Sequence, residues 1–557
     1  MNLRLSVAIL VWCSLLATAL YPCFKFGGFN RTTRQKITRL FFVLLAIAFP
    51  LWRWCSLTYN GEINVDESMV LTQALKYQDD LMPWRAVVAD AGGPLNTWVL
   101  FWAKPLGLGF GYLTARLTGL FLMFALSTLT VLTLGELLRK KHALLFSIPL
   151  LTLLLGTLNL DFLHFSSEQF PAAICAGVLW LLFKQFKHPE KWRAYTIGAL
   201  CGALPFTKIQ VVPGAFFLFF MGLSLPFLRK KFRADLKQNT ILLATGGLSI
   251  PALILIPVAI SGVWSDFIHF YIRFAIGYKN NVNKPLDFSI LTLGDIGYTV
   301  LLFGSLLLIF ATAIFLFGKT LTSKPKQRPV ILHRFVVALG LTGYFASLVY
   351  AVIKSGFGFP HYLMFLLAPT LVMGAAWIAI LTTSRPFQKT PATLLRYALL
   401  IFTGVMAIQL TNFSIKNARF LSNWGQEVHP VAEFLKTRCT ASDHIAIWGW
   451  ASKLNVLTQM PPATRFAHTA AVTDPSPEFN RHRETFIADL QASRPKVFLD
   501  AVDEFRWYSW PPGVAARHTM IPELSTWIFK NYDFVTEIQT APNKLPVRIY
   551  FLKPQAN

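Results

Sequence analysis

Long apolar runs constrain the fold of this chain more than any other feature. They recur from the N-terminus to about Asn412, separated by short polar stretches. A helix needs about 20 mostly apolar residues to cross a hydrocarbon core about 30 Å thick. Because that core offers the backbone no water, the spans must be helices. Only 14% of the residues are charged, so the sequence predicts a polytopic α-helical membrane protein.

The distribution of basic residues predicts how the chain is threaded. The net charge is +25, which in a soluble chain would indicate nucleic-acid binding. Here Lys and Arg are concentrated in short loops that alternate along the chain, which is the pattern of cytoplasmic loops. We therefore predict no nucleic-acid partner and a transmembrane module over residues 1–412 with about twelve spans.

The predicted spans follow from the apolar runs and the loop charges. Ala17-Thr18-Ala19 resembles a signal-peptidase site, but the basic loop that follows favours a retained first span. The stretch 96–106 is short and interrupted by Lys104, so we predict a helix at the membrane interface. The spans are 5–20, 40–55, 112–138, 143–160, 170–183, 194–206, 209–228, 240–263, 296–317, 335–353, 363–381 and 397–412.

This threading places the acidic loop, the Asp161 loop, Lys208, the His361 loop and the C-terminal region on the outer face. The first outer loop covers about residues 57–111, and 264–288 form another. Residues 413–557 have the composition of a soluble domain. Strands alternating with helices there predict an extracytoplasmic α/β domain. Its predicted elements are helix 428–437, strand 444–448, helix 478–490 and strand 496–499.

The first outer loop contains a pair of acids, Asp66 and Glu67. A carboxylate just outside a membrane can act as a general base, an effect of about 10²–10⁴ in rate. Such a pair can also hold a divalent cation, Mg²⁺ or Mn²⁺; no other cofactor is indicated. The alternative is a solvated pair without function, which is how we interpret Asp79, Asp80 and Asp90.

The second outer loop contains Asp161, His164 and Glu168. Their spacing would place them on one face of a helix. Between apolar spans each costs about 2.5–3.5 kcal/mol at mid-membrane unless it is paired or hydrated. Substrate binding and capping of helix ends in the headgroup region are both compatible with this pattern.

Four further residues are candidates for substrate binding. Lys208 lies at the tip of an apolar hairpin, where an ammonium can bind a lipid phosphate. His361 and Tyr362 open a late span, and Arg273 lies in an outer loop. Snorkelling to headgroups and interfacial anchoring are the alternatives for these side chains.

The order of these motifs is more specific than any one of them. An early Asp-Glu and a Gly-Pro are followed by His-x-Ser-Ser-Glu, Thr-Lys and Pro-His-Tyr-Leu, and then by Ile-Trp-Gly-Trp and Pro-Ala-Thr-Arg-Phe. From about Leu40 onward the chain resembles the family 39-like membrane glycosyltransferases of the GT-C superfamily. Relatives include protein O-mannosyltransferases and lipid A aminoarabinose transferases.

The resemblance implies an enzyme of the plasma (inner) membrane with a large first outer loop. Its members take a sugar from a polyprenyl-phosphate donor and transfer it to an acceptor on the outer face. The matching positions are Asp66 as general base with Glu67 beside it, the second-loop residues His164 and Glu168, and then Lys208, His361 and Tyr362.

The implied mechanism is displacement with inversion at the sugar. Lys208, with Arg273 or His361, stabilises the departing phosphate, and Asp66 deprotonates the acceptor hydroxyl. The acceptor is an extracytoplasmic glycan, lipid or protein, in a setting of membrane lipids. Two alternatives stay open: a flippase or transporter for lipid-linked sugars, which would need charges at mid-span and often internal repeats, and an inactive assembly subunit.

Overall fold

The described part of the chain forms two compact units. The computed structural model describes residues 3–24, 31–88, 92–138, 140–157, 159–228, 236–277, 328–355, 358–381, 427–473, 479–505 and 517–554. Unit 1 comprises Met1–Thr58, Gly119–Leu253 and Lys284–Trp424. Unit 2 comprises Tyr59–Thr118, Ile254–Asn283 and Gly425–Asn557.

Helices dominate the described residues. In chain order the α-helices are α1 (Leu3–Phe24), α2 (Arg31–Thr58), α3 (Val65–Lys76), α4 (Pro94–Trp98), α5 (Tyr112–Leu137), α6 (Lys140–Gly156), α7 (Gln169–Lys187), α8 (Lys191–Ala203), α9 (Val212–Leu228), α10 (Leu236–Ile260), α11 (Trp264–Phe267), α12 (Phe274–Gly277), α13 (Arg328–Lys354), α14 (Met364–Leu381), α15 (Pro430–Lys436), α16 (Lys453–Thr458), α17 (Ala470–Thr473), α18 (Asn480–Ser493) and α19 (Pro522–Asn531).

Seven helices in the described ranges are long and apolar enough to cross a membrane. They lie in α1, α2, α5, α7, α10, α13 and in a segment from Pro360 into α14. Shorter apolar helices lie in α6 and α9. The prediction of a multi-pass helical membrane protein is confirmed. The predicted spans 296–317 and 397–412 lie outside the described residues, so the total of about twelve stays a prediction.

Glycines let α8 and α10 pack closely in unit 1. A Cβ built on Gly198 would lie 2.1 Å from the carbonyl oxygen of Leu243, and one on Gly202 would lie 2.2 Å from that of Gly247. Side chains at either position would therefore force the helices apart. Small residues four apart permit such contact between membrane helices, where van der Waals packing and hydrogen bonds, not burial from water, hold helices together.

A four-stranded sheet forms the core of the C-terminal part of unit 2. The strands β1 (Ile445–Trp448), β2 (Val497–Asp500), β3 (Tyr532–Ile538) and β4 (Val547–Leu552) lie in the order β1-β2-β4-β3. β1 and β2 are parallel, and the other two pairings are antiparallel. Every residue of β1 and β2 is buried, as their continuous apolar sequence predicts.

The sheet domain agrees with the sequence prediction in its first half. The predicted strands 444–448 and 496–499 correspond to β1 and β2, and the predicted helices correspond to α15 and α18. The strands β3 and β4 and the helix α19 were not predicted. Because β3 is mostly exposed, its sequence lacks the apolar run that identified β1 and β2.

The first polar loop is a folded part of unit 2. Thr72 donates a hydrogen bond to the Ser452 carbonyl at 3.1 Å, and the Val88 amide donates to the Arg465 carbonyl at 2.8 Å. Arg465 also binds Asp489 and Asp266. This loop therefore belongs to the same compact unit as residues 425–557. The predicted domain boundary between residues 412 and 413 lies outside the described residues.

Two segments predicted as loops contain helices. Residues 65–76 of the acidic loop form α3, and 94–98 form α4, followed by a 3-10 turn to Leu106. Within the predicted loop 264–288, α11 and α12 flank a π-helical turn over Ile268–Arg273. The prediction that 96–106 is helical agrees with α4 and the 3-10 turn that follows it.

Candidate functional site

A buried ion pair forms the centre of a polar cluster in unit 1. Glu168 directly precedes α7, and its side chain is 0% exposed. Lys208, between the 3-10 turns Leu204–Phe206 and Ile209–Val211, pairs with Glu168 and donates a hydrogen bond to Ser167 Oγ at 2.7 Å. The two residues thus bring the start of one span and the tip of the apolar hairpin together.

His361 connects this ion pair to Asp161. Its Nδ1 lies 3.2 Å from Asp161 Oδ2, and its Nε2 lies 3.8 Å from Glu168 Oε1. The Lys208 ammonium also lies 4.9 Å from the centre of the Tyr362 ring, a cation–π distance. His164 borders the cluster, with its ring centre 6.2 Å from that of His361. The six candidates of unit 1 therefore converge.

Their convergence does not arise from a shared helix face, so that part of the prediction is wrong. Asp161 lies in a short 3-10 turn, Leu160–Phe162, and its amide donates a hydrogen bond to the Asn159 side chain at 3.0 Å. The chain then turns before Glu168, which directly precedes α7. Asn and Ser side chains compete for backbone hydrogen bonds and favour turns over continuous helix. The turn brings Glu168 towards Lys208 instead of stacking it above His164.

The charges of the cluster keep Glu168 ionised. Burial alone would raise its pKa, but the positive charges of Lys208 and His361 outweigh burial and hold the pKa well below its usual value of 4.5. Of the three N–H donors of the Lys208 ammonium, two are directed at Glu168 and Ser167. No acceptor for the third is found among the described residues, and the ammonium lies over the Tyr362 ring.

Asp66 lies in the first turn of α3, in unit 2. The Asn64 side chain caps this helix by accepting a hydrogen bond from the Asp66 amide at 2.9 Å. A carboxylate near a helix N-terminus is stabilised by the helix dipole. Asp66 is half-buried. The cap and the helix fix its backbone, which is what a general base needs.

Glu67 is fully buried and engaged by Arg116. Arg116 Nε lies 3.0 Å from Glu67 Oε1, and Nη2 lies 2.8 Å from Oε2. Arg116 also donates to the backbone carbonyls of Tyr59 and Gly61. This bidentate contact ties α3 to α5 and to the entry of the chain into unit 2. The geometry favours Asp66 as the acid that meets substrate and Glu67 as a residue that positions α3.

Sequence reasoning missed Arg116, although a signal existed. Arg116 was assigned to an apolar span, where a lone Arg costs about 2.5–3.5 kcal/mol at mid-membrane and so predicts a buried partner. Only the fold identifies Glu67 as that partner. Arg273, by contrast, is exposed at the end of the π-helical turn in unit 2. It belongs to unit 2, the compact unit that also contains Asp66.

A second, partly buried network in unit 2 was also missed. The Glu62 amide donates to Glu427 Oε2 at 2.8 Å. Lys453 Nζ lies 2.9 Å from Glu504 Oε2 and 4.0 Å from Glu427, and His429 Nε2 lies 3.3 Å from Glu504. The network joins the segment before α3 to the C-terminal region, which supports the backbone that carries Asp66.

Glu62 gives this network a measurable pH dependence. Burial, reinforced by the charges of Glu427 and Glu67, raises the pKa of Glu62 from 4.5 to about 7. Between these pH values the folded protein holds a proton that the unfolded chain has lost, so stability falls as pH rises. At about 1.4 kcal/mol per pH unit this amounts to at most about 3 kcal/mol.

We expect Glu62→Gln to remove the loss of stability that Glu62 causes as pH rises, because glutamine mimics the protonated acid. Thermal unfolding at pH 5 and pH 8 measures it: the variant should match the wild type at pH 5 and be more stable at pH 8. The exposed acid Glu433, paired with Lys436, provides the control Glu433→Gln. Equal pH dependence in the wild type and Glu62→Gln would exclude Glu62 as the titrating group.

A divalent cation site is not evident in the described ranges. No group of three or more His, Cys, Asp or Glu side chains there is arranged to hold a metal ion. In the unit 1 cluster the two acids already bind Lys208 and His361. The prediction of a Mg²⁺ or Mn²⁺ site at Asp66 and Glu67 stays untested, and Arg116 occupies both oxygens of Glu67.

Comparison with solved structures identifies the class of fold. No protein-family model matches the chain, and no curated protein is similar to it in sequence. Two solved structures of one membrane-bound protein share the fold of this chain, which supports the resemblance at the level of fold alone.

The particular similarity is to ArnT from Cupriavidus metallidurans. With its structure bound to undecaprenyl phosphate the TM-score is 0.53 at 12% identity, over 93% of this chain and 99% of that one. With the apo structure the TM-score is 0.52 at 12% identity, over 94% and 100%.

Proposed function

We propose that this protein is an integral-membrane glycosyltransferase that moves a sugar from a polyprenyl-phosphate donor to an acceptor, with inversion. The observation that carries the proposal is the Lys208–Glu168–His361 cluster at the ends of apolar helices in a GT-C fold. Buried charges are costly in a membrane protein and are found where substrates bind. A cationic group in such a place suits a phosphate that is attached to a lipid.

The donor is confined to the bilayer by its tail. Each buried CH₂ contributes about 0.8 kcal/mol of membrane partitioning, so a polyprenyl chain remains in the hydrocarbon and its phosphate lies at headgroup depth. The similar ArnT structure is bound to undecaprenyl phosphate, which supports this class of donor. The third donor of Lys208 and the His361 ring would receive the negative charge that develops on the departing phosphate.

The reaction is a displacement at the anomeric carbon. The acceptor oxygen forms a bond to that carbon, and the bond from the carbon to the phosphate oxygen breaks. The phosphate leaves with the electron pair, and the hydroxyl proton passes to Asp66. A single displacement inverts the anomeric centre, so product stereochemistry distinguishes it from a mechanism with a covalent sugar–enzyme intermediate.

The site acts on the extracytoplasmic face of the inner membrane in this proposal. The alternating basic loops support this orientation, because basic loops favour the cytoplasmic side. The loops of Asp66, Glu168 and Lys208 then lie on the other side of the membrane. The acceptor would then be a glycan, lipid or protein of the cell envelope.

Two measurements test the proposal. The purified full chain in lipid nanodiscs is incubated with polyprenyl-phosphate sugars and envelope extracts, and mass spectrometry detects the freed polyprenyl phosphate and the sugar-bearing product. Envelope glycans and glycolipids are also compared with and without the protein. We expect one added sugar that depends on the protein. Movement of labelled donor across vesicles without any acceptor product would indicate a transporter instead.

A further inference from the structure

Arg53 is a buried cation in unit 1 that the proposed reaction does not use. It lies on α2, within the candidate span Thr32–Thr58, and is 7% exposed. Its Nη2 donates a hydrogen bond to the backbone carbonyl of Leu154 on α6. Its Nη1 is buried and has no hydrogen-bond partner, and in the described ranges no carboxylate pairs with it. Among the residues that the structure describes, the charge of the guanidinium is therefore uncompensated.

An uncompensated buried guanidinium is unfavourable. Removing an ion from water costs several kcal/mol even after the protein relaxes, and one carbonyl oxygen compensates only part of that. Buried charges are normally paired with an opposite charge. No described residue of unit 1 supplies such a partner, and an anionic group of a bound lipid would supply one.

The position of Arg53 restricts what that group can be. At about 1.5 Å per residue, Arg53 lies about 7 Å before the end of α2 at Thr58. Its partner Leu154 is close to the end of α6 at Gly156, and the chain then enters the turn that carries Asp161. Arg53 is thus at the same end of unit 1 as the Lys208–Glu168 cluster, about one or two helical turns inside the span.

We propose that Arg53 binds the phosphate of a membrane lipid held between the helices of unit 1. The planar guanidinium presents donors in a fork that matches phosphate oxygens. Two lipids carry this chemistry: a polyprenyl phosphate and an anionic phospholipid. Only the first of these rests on the proposed function. The site is separate in sequence and in contacts from Lys208, whose partners are Glu168 and Ser167.

A purely structural role for Arg53 gives different expectations. If the contact with Leu154 were its only purpose, replacing Arg53 would weaken the packing of α2 on α6 and leave lipid binding unchanged. If Arg53 binds a lipid phosphate, replacement removes an uncompensated charge. The lipid-free protein should then be as stable as the wild type or more so, and should lose the stabilisation that the lipid provides.

The experiment uses the delipidated full chain in detergent, as wild type, Arg53→Gln and Arg53→Lys. Thermal unfolding and native mass spectrometry are measured with a short-chain polyprenyl phosphate, with phosphatidylglycerol and with inorganic phosphate. Arg85→Gln, which removes an exposed guanidinium paired with Asp80, is the matched control. We expect Arg53→Gln to weaken binding of one of the two lipids by about 10- to 100-fold, and Arg53→Lys to weaken it less.

The outcomes separate the two proposals. Loss of polyprenyl phosphate binding assigns the site to the donor lipid, and loss of phosphatidylglycerol binding alone assigns it to a structural lipid. If the wild-type protein binds phosphatidylglycerol through Arg53 but does not bind polyprenyl phosphate, the proposed function is contradicted. The inference that Arg53 binds a lipid phosphate then still holds. Unchanged binding of both lipids by Arg53→Gln overturns the inference. If Arg53→Gln does not fold, equal lipid affinity of Arg53→Lys and wild type overturns it.

Discussion

Asp66→Asn is expected to lower the rate of sugar transfer by about 10²–10⁴. The amide has nearly the shape of the carboxylate but cannot accept the hydroxyl proton of the acceptor. The backbone contact that fixes Asp66 is the bond from its own amide to Asn64, which the substitution leaves in place. Loss of the negative charge at the start of α3 costs about 0.3–1 kcal/mol, so the protein should fold and insert normally.

The matched control is Asp79→Asn. Asp79 belongs to the same polar segment, but it is exposed and paired with Lys76 and His444. Transfer by purified protein is measured under single-turnover conditions with saturating donor, so that a change in donor affinity does not mimic a change in chemistry. Near-normal transfer by Asp66→Asn would remove Asp66 from the mechanism, whatever the control shows.

Glu67→Gln should weaken the attachment of α3 to Arg116, whereas Asp66→Asn removes the proposed general base. The two acids differ in this way because their surroundings differ. Glu67 is bound through both oxygens by Arg116 and has no exposed surface. Adjacent helix residues point about 100° apart, so Glu67 faces the core while Asp66 faces away from it. The sequence motif suggested a catalytic pair, and the structure divides it into one accessible acid and one buried anchor.

The sequence predicted the membrane helices well because their signal is local. A span needs only a sufficient run of apolar residues, and α5 and α7 lie where such runs predicted them. The side of the membrane for each loop was also predicted from Lys and Arg alone, and it stays a prediction. Both signals are independent of how distant parts of the chain meet, so a single sequence suffices.

The pairings inside the site were beyond the sequence because they depend on contacts between distant segments. Lys208 was predicted as a ligand for phosphate, but its ion pair with Glu168 was not, since many carboxylates were available on the same side. The contact of Glu62 with Glu427 joins segments 365 positions apart. No local pattern distinguishes Glu62 from a solvated loop acid, so only the fold shows it to be half-buried.

Lys208→Gln should produce both a loss of stability and a loss of transfer. It leaves Glu168 buried without its main cationic partner, and breaking a buried ion pair from one side costs about 3–5 kcal/mol. Removing a donor that stabilises developing negative charge costs about 10²–10³ in rate. A single variant cannot tell these effects apart, because an unstable protein also loses activity.

The double variant Lys208→Gln/Glu168→Gln separates them. Two neutral amides can hydrogen-bond to each other and leave no buried charge, so we expect stability within about 1–2 kcal/mol of the wild type. Transfer should remain low, since no cation faces the departing phosphate. Thermal unfolding and single-turnover transfer are measured on the same preparations. If the double variant regains transfer together with stability, Lys208 serves only to neutralise Glu168.

The pH dependence of stability gives an independent check on the pair. In the wild type the pKa of Glu168 is lower in the folded protein than its value of 4.5 in the unfolded chain. Glu168 therefore contributes stability when the pH is above 4.5, and this contribution is lost as the pH falls below that value. Without Lys208, burial dominates and raises the pKa of Glu168, so the contribution of Glu168 in Lys208→Gln should be lost as pH rises. The change in stability with pH that arises from Glu168 should therefore have opposite signs in the wild type and in Lys208→Gln. In the double variant this change should be absent. If the slope of stability against pH is the same in the wild type and in Lys208→Gln, then His361, not Lys208, is the main partner of Glu168.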